Sequence, residues 1–281
     1  MAGPIWLVSY PKSGNTWLRL LLANLLSDRD GPADINDPGL PACNLVNRID
    51  VEDMTLVDTH LLTREECDRL RPTLMAEAWR AAVDRDVFIK LHDAYRRLDD
   101  GTPVLGHRAA RAAIYLLRDP RDVVVSLAHH DGHTVDEAVR RIRSGDTHMG
   151  GQSGARHTQI VQPLLDWSGH VRSWTRQCDV PVHVLRYEDL LADTGAVFGR
   201  VAAFLDLPAA PELVGRAARH AGFDELRRQE TAAGFRERHA GSTAPFFRSG
   251  QAGGWRTALT REQAAAIEAA HGEVMAAFGY L

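Results

Sequence analysis

The sequence predicts an α/β fold: one domain, residues 1–281, with a mainly parallel central sheet flanked by helices. Three observations predict it. The chain opens with a short apolar run, a tight glycine turn and a helix that is apolar on nearly all sides, the usual start of a parallel sheet. Further strand-length apolar runs then alternate with helical stretches. Finally, 281 residues with 44% hydrophobic and 25% charged composition suit one large globular domain with a sizeable core. In such sheets ligands sit beyond the carboxyl ends of the strands, so the residues just after each run are the ones to read for chemistry.

Pro4 to Tyr10 (PIWLVSY) reads as a buried strand, and Asn15 onward (NTWLRLLLANLLS) as the helix that follows it. Residues 31–39, rich in Pro, Gly and Asp, read as a loop. Thr63 to Val83 reads as a helix, with Thr63 as N-cap and Glu66 completing a capping box. Asp86 to His92 (DVFIKLH) is the second strand and Ala112 to Leu117 (AAIYLL) the third. A helix follows from Arg121 to about His130, with Pro120 at its first turn, where a missing amide donor is harmless. Thr134 to Arg143 reads as a short helix, and residues 144–159, Gly-rich, polar and patternless, as a mobile loop. Val161 to Gln177 reads as a helix and Val180 to Arg186 as the fourth strand. Helical stretches follow near 194–206, 209–219 and 222–230, and Thr260 to Phe278 closes the chain as a capped amphipathic helix.

Composition narrows the class. A net charge of -4 argues against a nucleic-acid binder. Cys43, Cys67 and Cys178 form neither a disulfide framework nor a metal pattern, so a reducing compartment is expected. The N-terminus lacks a basic segment ahead of an apolar one, and no apolar stretch is long enough to cross a bilayer, so the expected location is the cytoplasm, with no membrane partner. Of 33 basic residues only two are lysine, Lys12 and Lys90, both at ends of expected strands. An ammonium is a compact charge that approaches a single oxygen, where guanidinium prefers a planar pair.

The densest chemistry lies in Ser9-Tyr10-Pro11-Lys12-Ser13-Gly14-Asn15-Thr16-Trp17, which sets a lysine, a glycine and hydroxyls between a strand and a helix start. Amides at a helix N-terminus and its dipole favour an anion there, so the turn can cradle a phosphate. Lys12 adds a cation, and Ser13 and Thr16 add hydroxyl donors. The triphosphatase pattern G-x-x-x-x-G-K-[ST] is not met, because Lys12 precedes Gly14 and the first glycine is missing.

This segment resembles the 5′-phosphosulfate loop of the cytosolic sulfotransferase family, [TS]-Y-P-K-[SA]-G-[TN]-[TS]-W. A second segment, Arg118-Asp119-Pro120-Arg121-Asp122 through Ser126, resembles that family's 3′-phosphate motif, R-[DN]-P-[RK]-D-x-x-x-S. A third, Arg248-Ser249-Gly250 through Gly253 and Trp255-Arg256, is similar to its R-K-G-x-x-G-x-W-[KR], with Ser249 in place of the usual lysine. The resemblance implies a P-loop-kinase-like sulfotransferase fold and a sulfuryl donor, 3′-phosphoadenosine 5′-phosphosulfate (PAPS), whose product is 3′,5′-adenosine bisphosphate (PAP). It implies that Lys12, Ser13, Gly14, Asn15 and Thr16 hold the 5′ end, and that Arg118, Ser126, Arg248, Ser249 and Gly250 hold the 3′-phosphate. Trp17 stacks on the base, an interaction worth roughly 1–3 kcal/mol. Tyr187, in Tyr187-Glu188-Asp189, and Phe223 and Leu226, in Gly222-Phe223-x-x-Leu226, line the adenine pocket by the same resemblance.

His92, in Phe88-Ile89-Lys90-Leu91-His92, matches the family's K-x-H, whose histidine is the general base. An acceptor hydroxyl must lose its proton as it attacks sulfur, and histidine titrates near operating pH. Lys90, two residues away on the same strand face, is the second catalytic lysine beside Lys12. No metal is expected. His129-His130-Asp131-Gly132-His133 invites a metal reading, but Gly132 works against a rigid site, and His129 is expected at the rim. The expected partner is a small-molecule acceptor, with residues 31–60 and 144–170 forming its pocket. The Arg- and Ala-rich composition resembles bacterial tailoring sulfotransferases of natural-product pathways. The dimer motif of the eukaryotic members, K-x-x-x-T-V-x-x-x-E, is absent, and nothing else selects an oligomeric state. Two competing readings are an ATP-dependent small-molecule kinase and a non-catalytic nucleotide-binding protein.

Overall fold

The computed structural model describes residues 2–43, 46–82, 84–150, 159–238 and 244–281. In chain order its elements are β1 (Pro4–Ser9), α1 (Asn15–Leu26), β2 (Ala42–Cys43), α2 (Arg48–Thr55), a 3-10 turn (Thr59–Leu61), α3 (Arg64–Ala81), β3 (Val87–Leu91), β4 (Ala112–Leu117), α4 (Pro120–Asp131) and α5 (Val135–Ile142). Then come β5 (His148–Met149), β6 (Gln162–Pro163), α6 (Trp167–Thr175), β7 (Val182–Arg186), α7 (Tyr187–Ala192), α8 (Thr194–Phe204), α9 (Pro211–His220), α10 (Phe223–Ala233), α11 (Trp255–Ala258) and α12 (Arg261–Ala277). They fall into two units interleaved along the chain. The first comprises Met1–Tyr10, Pro41–Tyr115 and Ser144–Val184; the second comprises Pro11–Leu40, Leu116–Arg143 and Leu185–Leu281. No described helix is long and apolar enough to cross a membrane.

The first unit carries the sheet, in the order β2-β3-β1-β4-β7. The last residues of β4 and β7 count with the second unit. β1 pairs with β3 in parallel from Pro4↔Val87 to Val8↔Leu91, and β2 pairs with β3 in parallel. Every residue of β1 and β4 is buried, which is why both read as unbroken apolar runs rather than alternating ones. The order places β1 and β4 at the centre, so the turns leaving their carboxyl ends are the turns that carry the first two motifs.

α3 begins at the expected capping box, with Thr63 and Glu66 bonded reciprocally. The helix expected over 161–177 is corrected. Residues 162–163 form β6, antiparallel to β5, and α6 starts only at Trp167. Leu165 takes a left-handed φ of 62°, and the Asp166 carboxylate caps α6 by accepting from the Gly169 amide at 2.5 Å. The loop expected over 144–159 falls partly outside the described residues. Its described portion, 144–150 and Gln159, contains β5.

In the second unit α1 packs on α9, α8 on α7 and α9, and α4 on α5, with α11 and α12 against α4. Leu18, Leu20, Leu21, Leu22 and Leu25 of α1 are all buried, as its all-round apolar pattern predicts. α12 opens on a capping box of Thr260 and Gln263.

Candidate functional site

The turn between β1 and α1 is shaped for an anion. Lys12 takes φ 69° and Gly14 φ 106°, so two residues of three adopt the left-handed backbone that turns successive amides toward one point. At Gly14 a side chain is excluded twice over, since a Cβ there would lie 2.8 Å from Cδ2 of Tyr187. α1 starts with no side-chain cap and no acidic residue in its first turn, which leaves its leading amides and positive dipole end for a ligand. Ser13 is 0% exposed, and its Oγ has no hydrogen-bond partner among the described residues. A buried hydroxyl without a partner costs about 1–3 kcal/mol, a cost a bound phosphate oxygen removes. The cradle therefore fits a phosphate group.

Asn15 and Thr16 are buried beside it, and Lys12 is half-buried, its Nζ 4.3 Å from the centroid of the Phe246 ring. Thr16 also has a partner within the protein. Its hydroxyl donates to a carboxylate oxygen of Glu237 at 3.1 Å, and the same carboxylate pairs with Arg19 one turn further along α1.

Arg118, at the end of β4, ties the three motifs together. Its Nη1 donates to the Lys12 carbonyl at 3.0 Å and its Nη2 to the Gln251 carbonyl at 3.2 Å. Its guanidinium lies 4.4 Å from the centroid of the Tyr187 ring, and its buried Nε has no partner among the described residues. α4 begins at once, capped by Asp119 with Pro120 in the first turn. Ser126 is half-buried on this helix, three residues before His129, so the two share a face. The His129 pKa is lowered, first by burial and then by the positive charge of Arg248. Arg248 is itself exposed and Ser249 half-buried. The positive charge of Arg248 thus reaches His129 near the end of α4. α4 ends at Asp131, and no group of three His, Cys, Asp or Glu side chains is placed to hold a metal among the described residues.

The aromatic residues expected around adenine meet as well. The Trp17 indole donates to the Ala221 carbonyl at 2.9 Å and crosses the Tyr187 ring edge-on at 5.7 Å. Phe223 starts α10, and Leu226 is buried one turn later. Gly250 takes φ 58°, and a Cβ there would overlap the Phe223 ring, so the third motif lies directly on the turn that opens α10.

His92 and Lys90 belong to the first unit. Lys90 is a half-buried residue of β3, and His92 follows the strand directly, 8% exposed. His92 Nδ1 lies 2.8 Å from the Ser9 carbonyl oxygen. A carbonyl only accepts, so Nδ1 carries the proton and the neutral ring has its lone pair on Nε2.

Sequence reasoning missed the residues that hold these segments in place. The Asp122 carboxylate accepts from the amides of Gly253 at 2.6 Å and Trp255 at 2.9 Å, binding the third motif to α4. Arg121 pairs with Asp119 and Glu268 and lies 3.8 Å from the centroid of the Trp255 ring. Buried Glu230 accepts from the amides of Phe246 and Phe247. Asp122 and Arg121 lie inside the second motif, where an acid and a base without a ligand role were the available signal. Glu230 and Glu237 carried none.

Known proteins with these features are sulfotransferases. Human sulfotransferase 2B1 is 24% identical over 236 residues, covering 79% of this chain and 52% of its own length. Luciferin sulfotransferase of Photinus pyralis is 24% identical over 230 residues, covering 79% of this chain and 56% of its own. The chain therefore spans about half the length of the curated relatives it matches. Among solved structures, mouse sulfotransferase SULT7A1 complexed with PAP superposes with a TM-score of 0.62 at 20% identity, covering 97% of this chain and 84% of that one. This likeness establishes the expected fold. The family described as "Sulfotransferase domain" matches residues 2–279, and the chain belongs to that family.

Proposed function

We propose that this chain transfers a sulfuryl group from PAPS to a hydroxyl, or an amine, of a small-molecule acceptor. The observation that carries the reading is Arg118, which bonds at once to the Lys12 and Gln251 carbonyls and so gathers all three nucleotide motifs around one guanidinium. The Ser13 hydroxyl, without a partner among the described residues, supports a phosphate at the 5′ end, and the charge that Arg248 imposes on His129 supports a second phosphate near Ser126. The solved relative that binds PAP supports the same donor.

When bound, the donor supplies an electrophilic sulfur whose leaving group is a phosphate. His92 Nε2 takes the proton from the acceptor as the new oxygen–sulfur bond forms. The old sulfur–oxygen bond breaks with its electron pair going to the phosphate oxygen, and Lys12 neutralises the charge that builds there. Lys90 serves the sulfonate oxygens. Positioning and fixed charge do the work that metal ions share in phosphoryl transfer.

Calorimetric titration of the full chain with PAP, with AMP and ATP beside it, tests the donor. Micromolar binding of the bisphosphate with feeble AMP binding is the expected result. Equal or preferential ATP binding would overturn the reading in favour of a kinase.

A further inference from the structure

Of the four residues that follow β3, three are held by one face of α6 and the fourth, Ala94, by β6. His170, Ser173 and Trp174 are spaced i, i+3, i+4, so they project from the same side of that helix. His170 Nε2 lies 3.0 Å from the His92 carbonyl, and the Trp174 indole donates to the Asp93 carbonyl at 2.8 Å. Ser173 Oγ accepts from the Tyr95 amide at 2.9 Å, and the Ala94 amide donates to the Pro163 carbonyl at 2.8 Å just ahead of the helix. From below, Arg71 of α3 forms a buried two-point pair with the Asp93 carboxylate.

The protons in this array are fixed by what each partner can do. The His92 carbonyl only accepts, so His170 Nε2 carries a proton. His170 is 0% exposed, and burial pushes its pKa down to about 4, so the ring is neutral and its Nδ1 must accept. The donor is the Tyr115 hydroxyl, 2.7 Å away. The chain therefore runs from Tyr115 O–H to His170 Nδ1, and from His170 Nε2–H to the His92 carbonyl. The His92 ring then donates from Nδ1 to Ser9. Each of these three hydrogen bonds runs in one direction, and the proton on His92 Nδ1 puts the lone pair of the neutral ring on Nε2.

We infer that His170, oriented by Tyr115, is a positioning residue that fixes the backbone of His92 and thereby the ring tautomer and aim of its Nε2. The inference rests on the proposed reading of His92 as general base. Burying a histidine and a tyrosine hydroxyl in an apolar core is costly unless the pair is fully bonded, and here it is bonded into the one peptide that carries the base. A misplacement of about 1 Å at a reacting group costs on the order of a hundredfold in rate, which is the scale a loosened clamp can reach.

The test labels the full chain with 15N-histidine and reads the ring nitrogens of His92 by long-range proton–nitrogen correlation, assigned by their loss in His92→Gln. Wild type is expected to show a single form, protonated at Nδ1. His170→Phe keeps the volume and removes the donor, and should give His92 a mixture of both tautomers while PAP affinity stays within about twofold. His170→Gln restores an N–H at the same reach and should return the single form, a rescue that packing alone does not explain. Unchanged His92 nitrogens in His170→Phe would overturn the inference. Should that variant not fold, Tyr115→Phe is read instead. It frees the His170 tautomer, and the same loss is expected and the same constancy counts against us. In parallel, single-turnover release of PAP from PAPS, with water as acceptor, is followed in His92→Ala. Retained release there overturns the base reading and leaves the tautomer result standing.

Discussion

The Glu237 carboxylate accepts a hydrogen bond from the Thr16 hydroxyl at 3.1 Å while pairing with Arg19, so an internal anion sits at the start of α1. A hydroxyl has one proton to donate, and here Thr16 gives it to Glu237. A phosphate arriving at the cradle meets a negative charge that it must displace or tolerate. Glu237→Gln removes that charge and keeps the shape. It should tighten PAP binding by about fivefold, or ~1 kcal/mol, the scale of a part-exposed charge pair. Calorimetry at low and high salt checks it, and the gain should shrink as salt rises. Unchanged or weaker binding would assign Glu237 a purely structural role.

Ser13 makes the opposite kind of prediction. Its hydroxyl is buried and without a partner among the described residues, so in the ligand-free protein it is a cost. Ser13→Ala removes that cost, and the melting temperature should hold or rise. PAP affinity should fall, by roughly tenfold if the hydroxyl donates to the phosphate as a charge-assisted bond. Thermal melts with and without PAP read both effects from one series. A fall in stability with unchanged affinity would mean that the hydroxyl serves the fold instead.

Much of this was legible in the sequence because local rules and tertiary structure agree. β1 and β4 are buried on both faces, so they appear as unbroken apolar runs, and Thr63 with Glu66 and Thr260 with Gln263 announce their helices through reciprocal caps. The start of α6 was lost because its apolar and aromatic residues run back through Leu164 and Leu165. The stop is a left-handed Leu165 and a cap at Asp166, and neither breaks the hydrophobic pattern. α2 was missed for the reverse reason: only Arg48 and Val51 of its residues are buried, so it offers no apolar stripe to read. In the site, the residues expected to face the ligand sit in short motifs, which leave a local pattern to read. Asp122, Glu230 and Glu237 act across long sequence separations on backbone amides or a hydroxyl, and such pairings leave no periodic trace.

Asp122 offers a test that distinguishes the two proposed ends of the nucleotide site. Its two oxygens each hold one amide of the third motif, Gly253 and Trp255. Asn offers one acceptor oxygen and an NH2 that would face an amide N–H, so Asp122→Asn breaks one bond and sets donor against donor. The 250–256 segment should loosen beside the proposed 3′-phosphate site. PAP affinity is expected to drop by about tenfold, a loss of ~1.4 kcal/mol, while AMP affinity stays level. Equal losses for both nucleotides would place the effect in the fold of α4.

His170 ties the stability of the unit that carries His92 to pH. Its pKa is pushed down from 6.5 to about 4 by burial, partly offset by its bond to the His92 carbonyl. The unfolded chain therefore takes up a proton near pH 6.5 that the folded chain refuses until about pH 4. Between those values the unfolded state binds more protons, so stability falls as pH falls, and the loss levels off below pH 4. The full span amounts to about 3 kcal/mol, at ~1.4 kcal/mol per pH unit. His170→Gln cannot titrate, so its stability should decline less steeply than wild type between pH 6.5 and 4, by close to one proton. Urea unfolding at a series of pH values in both proteins isolates this term, because the carboxylates contribute equally to each. Parallel curves would mean that His170 is protonated in the folded state. That would remove the neutral ring on which the single-direction chain from Tyr115 to His92 depends, since a doubly protonated His170 leaves the Tyr115 hydroxyl with no acceptor at Nδ1.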